Sequence, residues 1–302
     1  LTAPKRRSVL KAGDVKMAAM LLAGVAPAWL LPAGVLRSVG RIAARVSPTP
    51  ERRLPPDLTA LLGDNDAVAR RRLQAAFYED CLLVLRCWAP WHEAPKVSLR
   101  GAEALRDALD AGRGAIVWVQ DAAFAPLVAK AALAQAGLRV FHLSRRSHRF
   151  SDSAFGVRVL NAVQTRMEDR FLAARVIIDD RQPLPALLRV RRLLAGGEVV
   201  SITAGGLAGD WVDVPFLGST LHLPAGPLRL SLDTGAPLLP LFLTRDEDGF
   251  ACHIEAPLCL TPDLSRDAAC LEAARAYAGL LERYTRRSPE LWGGWMRPAA
   301  AG

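Results

Sequence analysis

Apolar and polar positions alternate in three different ways along the chain. Residues 17–36 (MAAMLLAGVAPAWLLPAGVL) carry no charged side chain at twenty successive positions, the length a helix needs to cross a bilayer. Lys5, Arg6, Arg7, Lys11 and Lys16 precede this stretch and Arg37, Arg41 and Arg45 follow it, so both flanks are basic and neither orients a span. Pro27 and Pro32 interrupt the helix, which suits a tilted or re-entrant insertion as well as a straight one. The pattern predicts a basic N-terminus with a membrane-anchoring helix over 1–46. A proline-rich connector, SPTPERRLPPD, occupies 47–57, and the body runs from 58 to 302.

Within the body, residues 58–88 place Leu61, Leu62, Val68, Leu73, Phe77, Leu82 and Leu85 near helical spacing, which predicts one or two amphipathic helices. From residue 97 short apolar runs alternate with helical patterns. Strands are predicted at 115–119 (AIVWV), 138–143, 175–178 and 198–203, with a strand pair at 237–244 and 250–255 around Asp248-Gly249. Helices are predicted at 103–111, 126–136, 155–173, 184–195 and 267–287, several of them closed by glycine. This succession predicts an α/β fold with a mixed, largely parallel sheet flanked by helices.

Charge and composition narrow the partners. Thirty-nine basic against thirty acidic residues leave a net charge of +9, which favours an anionic partner such as a phospholipid surface or a phosphorylated substrate. Nucleic acid is disfavoured, because aromatics make up only 6% and no nucleic-acid motif accompanies the basic residues. Five cysteines form no C-x-x-C pair, so neither a disulfide framework nor a zinc ribbon is indicated, and no metal or cofactor is expected. Ala204-Gly205-Gly206-Leu207-Ala208-Gly209 lacks the Lys-Ser/Thr ending of a phosphate-binding loop.

Three stretches together carry a resemblance: GRGAIV at 112–117, the run VPFLGSTLHLPAGPLRLSLDTGAPLLPLFLTR at 214–245, and SPELWGGWMR at 288–297. In order and spacing they resemble the lipid A biosynthesis acyltransferases, the lauroyl and myristoyl transferases of the wider lysophospholipid acyltransferase superfamily. The resemblance covers about residues 15–297 and implies a glycerolipid acyltransferase-like α/β domain on the cytoplasmic face of a bacterial inner membrane. It also implies acyl transfer from acyl carrier protein to a hydroxyl of a membrane glycolipid or lysolipid. The family's His-x4-Asp/Glu motif follows the first strand of its α/β body, the imidazole acting as general base and the carboxylate holding its tautomer.

Here those two motif positions fall on Asp121 and Pro126. None of His92, His142, His148, His222 and His253 has a carboxylate five places on. The family's Asp after the strand matching 198–203 is also replaced, by Ala204-Gly205-Gly206. His142 and His148 follow the next strand and are the nearest candidates for a relocated base. Asp121 reads as a helix cap or as a substitute base. The resemblance places lipid-phosphate contacts at Arg145 and Arg166, whose guanidinium forks suit phosphate oxygens. Two classes of function stay open: an acyltransferase with an altered base, and a non-catalytic descendant that binds lipid or acyl carrier protein or joins a membrane complex as a protein subunit. Trp292 and Trp295 read equally as headgroup-level anchors and as packing on the body.

Overall fold

The computed structural model describes residues 11–48, 54–63, 65–86, 97–122, 125–145, 153, 155–179, 181–205, 210–246, 249–261 and 264–296. Four helices come first: α1 (Ala12–Leu30), α2 (Ala33–Val46), α3 (Pro56–Leu62) and α4 (Asp66–Arg86). The α/β body follows as β1 (Val97–Arg100), α5 (Glu103–Asp110), β2 (Ala115–Val119), α6 (Ala125–Gln135), β3 (Val140–Arg145), α7 (Asn161–Asp169), β4 (Ala174–Ile178), α8 (Leu184–Ala195) and β5 (Val199–Thr203). A hairpin of β6 (Trp211–Phe216) and β7 (Ser219–Pro224) then leads to α9 (Gly226–Thr234), β8 (Leu238–Asp246), β9 (Gly249–Ile254) and α10 (Arg266–Arg287).

Seven strands form one sheet in the order β1-β9-β8-β2-β5-β3-β4, parallel throughout except where β8 meets β9. Strand β2 is apolar at all five positions because it lies inside the sheet with both faces covered. Its side chains alternate between two cores. Ile116 and Trp118 join Phe242, Val190 and the α10 residues Ala274 and Tyr277 on one face, whereas Val117 and Val119 join Leu239, Leu241 and the α6 residues Val128 and Leu133 on the other. The fold is therefore α/β with a mixed, mostly parallel sheet between helices, as the sequence predicts.

The N-terminal expectation needs correction. Residues 17–36 do not form one helix: α1 ends at Leu30, Pro32 adopts an extended conformation, and α2 begins at Ala33. Among the described residues no helix is long and apolar enough to cross a membrane. Both helices instead pack on α4. Ala28 of α1 and Leu36 of α2 are buried against Leu82 and Leu85, and the Trp29 indole N–H donates to the Leu85 carbonyl at 2.9 Å. Arg86 donates to the carbonyls of Ala28 at 3.3 Å and Leu31 at 2.5 Å, a cationic cap on the α1 C-terminus. At the other end Asp14 is only 2% exposed and accepts from the Ser153 hydroxyl at 2.6 Å. Gly40 lets α2 approach closely, since a Cβ there would lie 2.8 Å from the Glu79 backbone nitrogen. The faces turned outward stay apolar, with Leu22 73%, Leu30 79% and Ile42 58% exposed.

Two further differences are local. The helix expected over 155–173 opens with a π-helical turn, Gly156–Leu160, and ends at Asp169. The β6–β7 hairpin was not predicted, because its two-residue turn sets Leu217 at φ 49°, a left-handed conformation that leucine seldom adopts. Leu217 is fully buried there. Its N–H donates to Glu282 Oε2 at 3.3 Å and its carbonyl accepts from the Asp57 N–H at 3.4 Å, so the surroundings hold the strained turn in place.

Candidate active-site cleft

The loop on which the resemblance sets the family's motif leaves the C-terminal end of β2. Gln120, the first residue past the strand, is fully buried and tied three ways: its backbone N–H donates to Leu241 O at 2.8 Å, its Oε1 accepts from Leu243 N–H at 3.0 Å, and its Nε2 donates to Leu291 O at 3.1 Å. The C-terminal tail thus lies directly on the loop. Gly293 completes the contact, donating to the Asp121 carbonyl at 3.1 Å, and a Cβ at Gly293 would stand 2.9 Å from that same oxygen. Trp292 and Trp295 are buried, Trp292 against Phe216 with ring centres 5.1 Å apart and Trp295 edge-on to Phe77 at 5.9 Å. Their apolar area is used in packing on the body.

Between loop, tail and hairpin lies a cleft bordered by Asp121, Ala204, His222, Tyr277, Trp292 and Gly294. Its volume is about 40 Å³, enough for a few waters. Ala204 closes one wall, its N–H donating to Val119 O at 2.7 Å. Tyr277 is fully buried, with its ring 4.0 Å from that of Trp118. Neither Tyr277 Oη nor Trp118 Nε1 finds a hydrogen-bond partner among the described residues, and burial pushes the Tyr277 phenol well above its usual range. Such orphaned polar atoms are uncommon in a folded interior.

At the cleft rim the hairpin sets His222 directly opposite Asp213 in the antiparallel register. His222 Nδ1 lies 2.5 Å from Asp213 Oδ1, with the two side chains 58% and 61% exposed. Sequence reading passed over this pair. Its signal was the alternation of WVDVPF and STLHLP about Leu217-Gly218, since a two-residue turn forces residue 213 to face residue 222.

Most of the sequence-derived positions lie away from the cleft. Asp121 borders the cleft, and Pro126 is half-buried in the first turn of α6 with no N–H to offer. His142 is buried inside β3 with its Nδ1 2.9 Å from Ser201 Oγ of β5, and it does not line the cleft. His148 lies outside the described residues. Arg145 is half-buried at the end of β3, and Arg166 is exposed near the end of α7. No three His, Cys, Asp or Glu side chains among those residues gather as metal ligands would. Burial raises the thiols of Cys81 and Cys252, which suppresses their nucleophilic form.

One electrostatic feature had no trace in the spacing of charges. Lys130 of α6 and Glu168 of α7, both almost fully buried, pair at 2.5 Å, and Arg175 of β4 reaches Glu168 at 2.9 Å and Asp169 at 2.8 Å. Burial alone would raise the Glu168 carboxyl, but Lys130 and Arg175 outweigh it and hold the group down at about 2. The network ties the helix after the motif loop to the far edge of the sheet.

A mostly parallel sheet between helices places the protein among the open α/β proteins. Within that class, the model of the bacterial lipid A biosynthesis acyltransferases matches residues 15–298, and the chain belongs to that family. No curated protein matches it.

Proposed function

We propose that the protein transfers an acyl chain to a hydroxyl of a membrane glycolipid or lysolipid, using a base other than the family's histidine. The observation that carries this reading is the family match across the whole body, with the motif loop opening onto a cleft at the sheet's carboxyl edge. Acyl carrier protein is the proposed donor, and the cytoplasmic face of the bacterial inner membrane is the proposed site of work. The outward apolar faces of α1 and α2, together with Arg41 and Arg45, suit insertion to headgroup depth rather than a span. Arg145 and Arg166 are the proposed contacts for a lipid phosphate.

A second reading, a non-catalytic lipid- or carrier-binding subunit, is favoured by the small volume of the cleft, about 40 Å³. The two separate in one assay. The purified chain is supplied with labelled acyl carrier protein and a panel of lysolipid and lipid A precursor acceptors in mixed micelles. Labelled acyl product supports transfer, and retention of carrier or lipid without product supports the binding role. Under the first reading Asp121→Ala leaves activity unchanged to within a few-fold, because the base lies elsewhere.

A further inference from the structure

We infer that His222, oriented by Asp213, is the general base of this protein and works at the rim of the cleft rather than inside it. The inference rests on the acyltransferase reading only for the identity of the acyl donor, an acyl thioester. Three observations converge on it. The family's imidazole position is Asp121, yet the hairpin brings a different imidazole to the border of the same cleft. That imidazole has a carboxylate 2.5 Å from Nδ1, the relation that fixes a histidine as its Nδ1–H tautomer and leaves Nε2 with a free lone pair. Finally, His222 is more than half exposed at the border of the cleft, where an acceptor hydroxyl can reach it.

The hairpin is held firmly enough to position a base. Val214, Phe216 and Leu223 are buried against the core that contains α10, which leaves Asp213 and His222 together on the outward face. The strained Leu217 turn pins the far end to α3 and α10. At the mouth the step balances without any further reagent. The acceptor O–H gives its proton to His222 Nε2 as its oxygen bonds to the thioester carbonyl carbon. The tetrahedral adduct then collapses, the C–S bond breaks, and the departing thiolate takes the proton back from Nε2. Asp213 is a positioning residue that stabilises the transient imidazolium. Tyr277 Oη, unpartnered at the cleft wall, is available to donate to a water or acceptor oxygen held there.

Water can replace the acceptor, which separates this inference from the choice of lipid. The full chain is assayed twice, for hydrolysis of a short-chain acyl thioester and for transfer to the lipid panel, as wild type, His222→Gln and Asp213→Asn. Both residues are exposed, so the variants should fold, and circular dichroism checks that they do. His222→Gln is expected to lower thioester hydrolysis by about 100-fold or more, and Asp213→Asn by about 10- to 100-fold, the scale of losing a carboxylate that orients a functional imidazole. Nitrogen-15 NMR of His222 should show the Nδ1–H tautomer in the wild type and its loss in Asp213→Ala, a change that a merely structural pair would not link to rate. Hydrolysis that depends on His222 without lipid transfer sustains the inference and refutes the proposed acceptor. Turnover in His222→Gln within threefold of wild type, or a wild type inert towards the thioester, overturns the assignment of the base.

Discussion

Replacing Glu168 by glutamine should destabilise the protein by about 3 kcal/mol at neutral pH. The substitution keeps the side chain's shape and removes its charge, leaving Lys130 and Arg175 as neighbouring cations that are 2% and 6% exposed. The magnitude follows from the buried partners left behind. Removing one partner of a buried pair ordinarily costs about 3–5 kcal/mol, because the other charge stays desolvated and uncompensated. The direction of the Glu168 shift agrees, since Lys130 and Arg175 hold its carboxyl below the ordinary range, while burial holds the Lys130 ammonium below its own, so both partners bear the cost of desolvation. Because the folded value is the lower one, the unfolded chain binds more protons at acid pH. The contribution is therefore complete above about pH 4.5 and is lost as the pH falls towards 2. Urea unfolding at a series of pH values between 7 and 3 reads both effects. The wild type should lose stability over that acid range, and Glu168→Gln should start lower and lose less. Adding Lys130→Met should recover part of the deficit, since Arg175 keeps Asp169 at 2.8 Å. A Glu168→Gln variant within about 0.5 kcal/mol of wild type at pH 7, with an unchanged acid slope, would refute the account.

Other changes test the tail, the N-terminal helices and the phosphate contact. Gly293→Ala puts a methyl group against the Asp121 carbonyl and Ala122 Cα; a loss of about 1–3 kcal/mol is expected, with red-shifted, more quenchable fluorescence from Trp292 and Trp295. Leu30→Glu combined with Ile42→Glu should reduce co-sedimentation with anionic vesicles by at least about tenfold while leaving thermal unfolding nearly unchanged, because both side chains point outward. Arg145→Ala should weaken binding to vesicles carrying phosphomonoester lipid more than to vesicles of matched charge without it, and equal losses on both would reduce Arg145 to a general basic contact.

How far the sequence discloses this molecule varies by element. The five consecutive apolar residues of β2 identify a buried strand because only a covered, parallel position tolerates that run, and α8 begins and ends at the predicted residues. The N-terminal stretch misleads for a related reason. Twenty uncharged positions measure hydrophobicity but not partners, and the ties that matter, Asp14 with Ser153 and Arg86 with the α1 carbonyls, join residues 139 and up to 58 positions apart. Family membership is legible in the three stretches at 112–117, 214–245 and 288–297. His222 with Asp213 is not, since their meeting depends on a turn that places leucine where glycine or asparagine would be expected. Lys130 and Glu168 likewise read as solvated helix charges until α6 and α7 are packed together.

The bonds of Gln120 also impose a timetable. Its two side-chain partners, Leu243 and Leu291, lie 123 and 171 residues further along the chain. At the usual pace of synthesis the second of these emerges roughly 10–30 seconds after Gln120 itself. Helices α1 and α2 leave the ribosome before any strand of the sheet, so their apolar faces can meet a bilayer while β2 is still without β8, a neighbour it needs on that side. The rim that carries His222 is made in that interval, and the wall formed by Trp292 and Gly294 comes last. The N-terminal helices and their outward apolar faces are thus complete well before the cleft is closed.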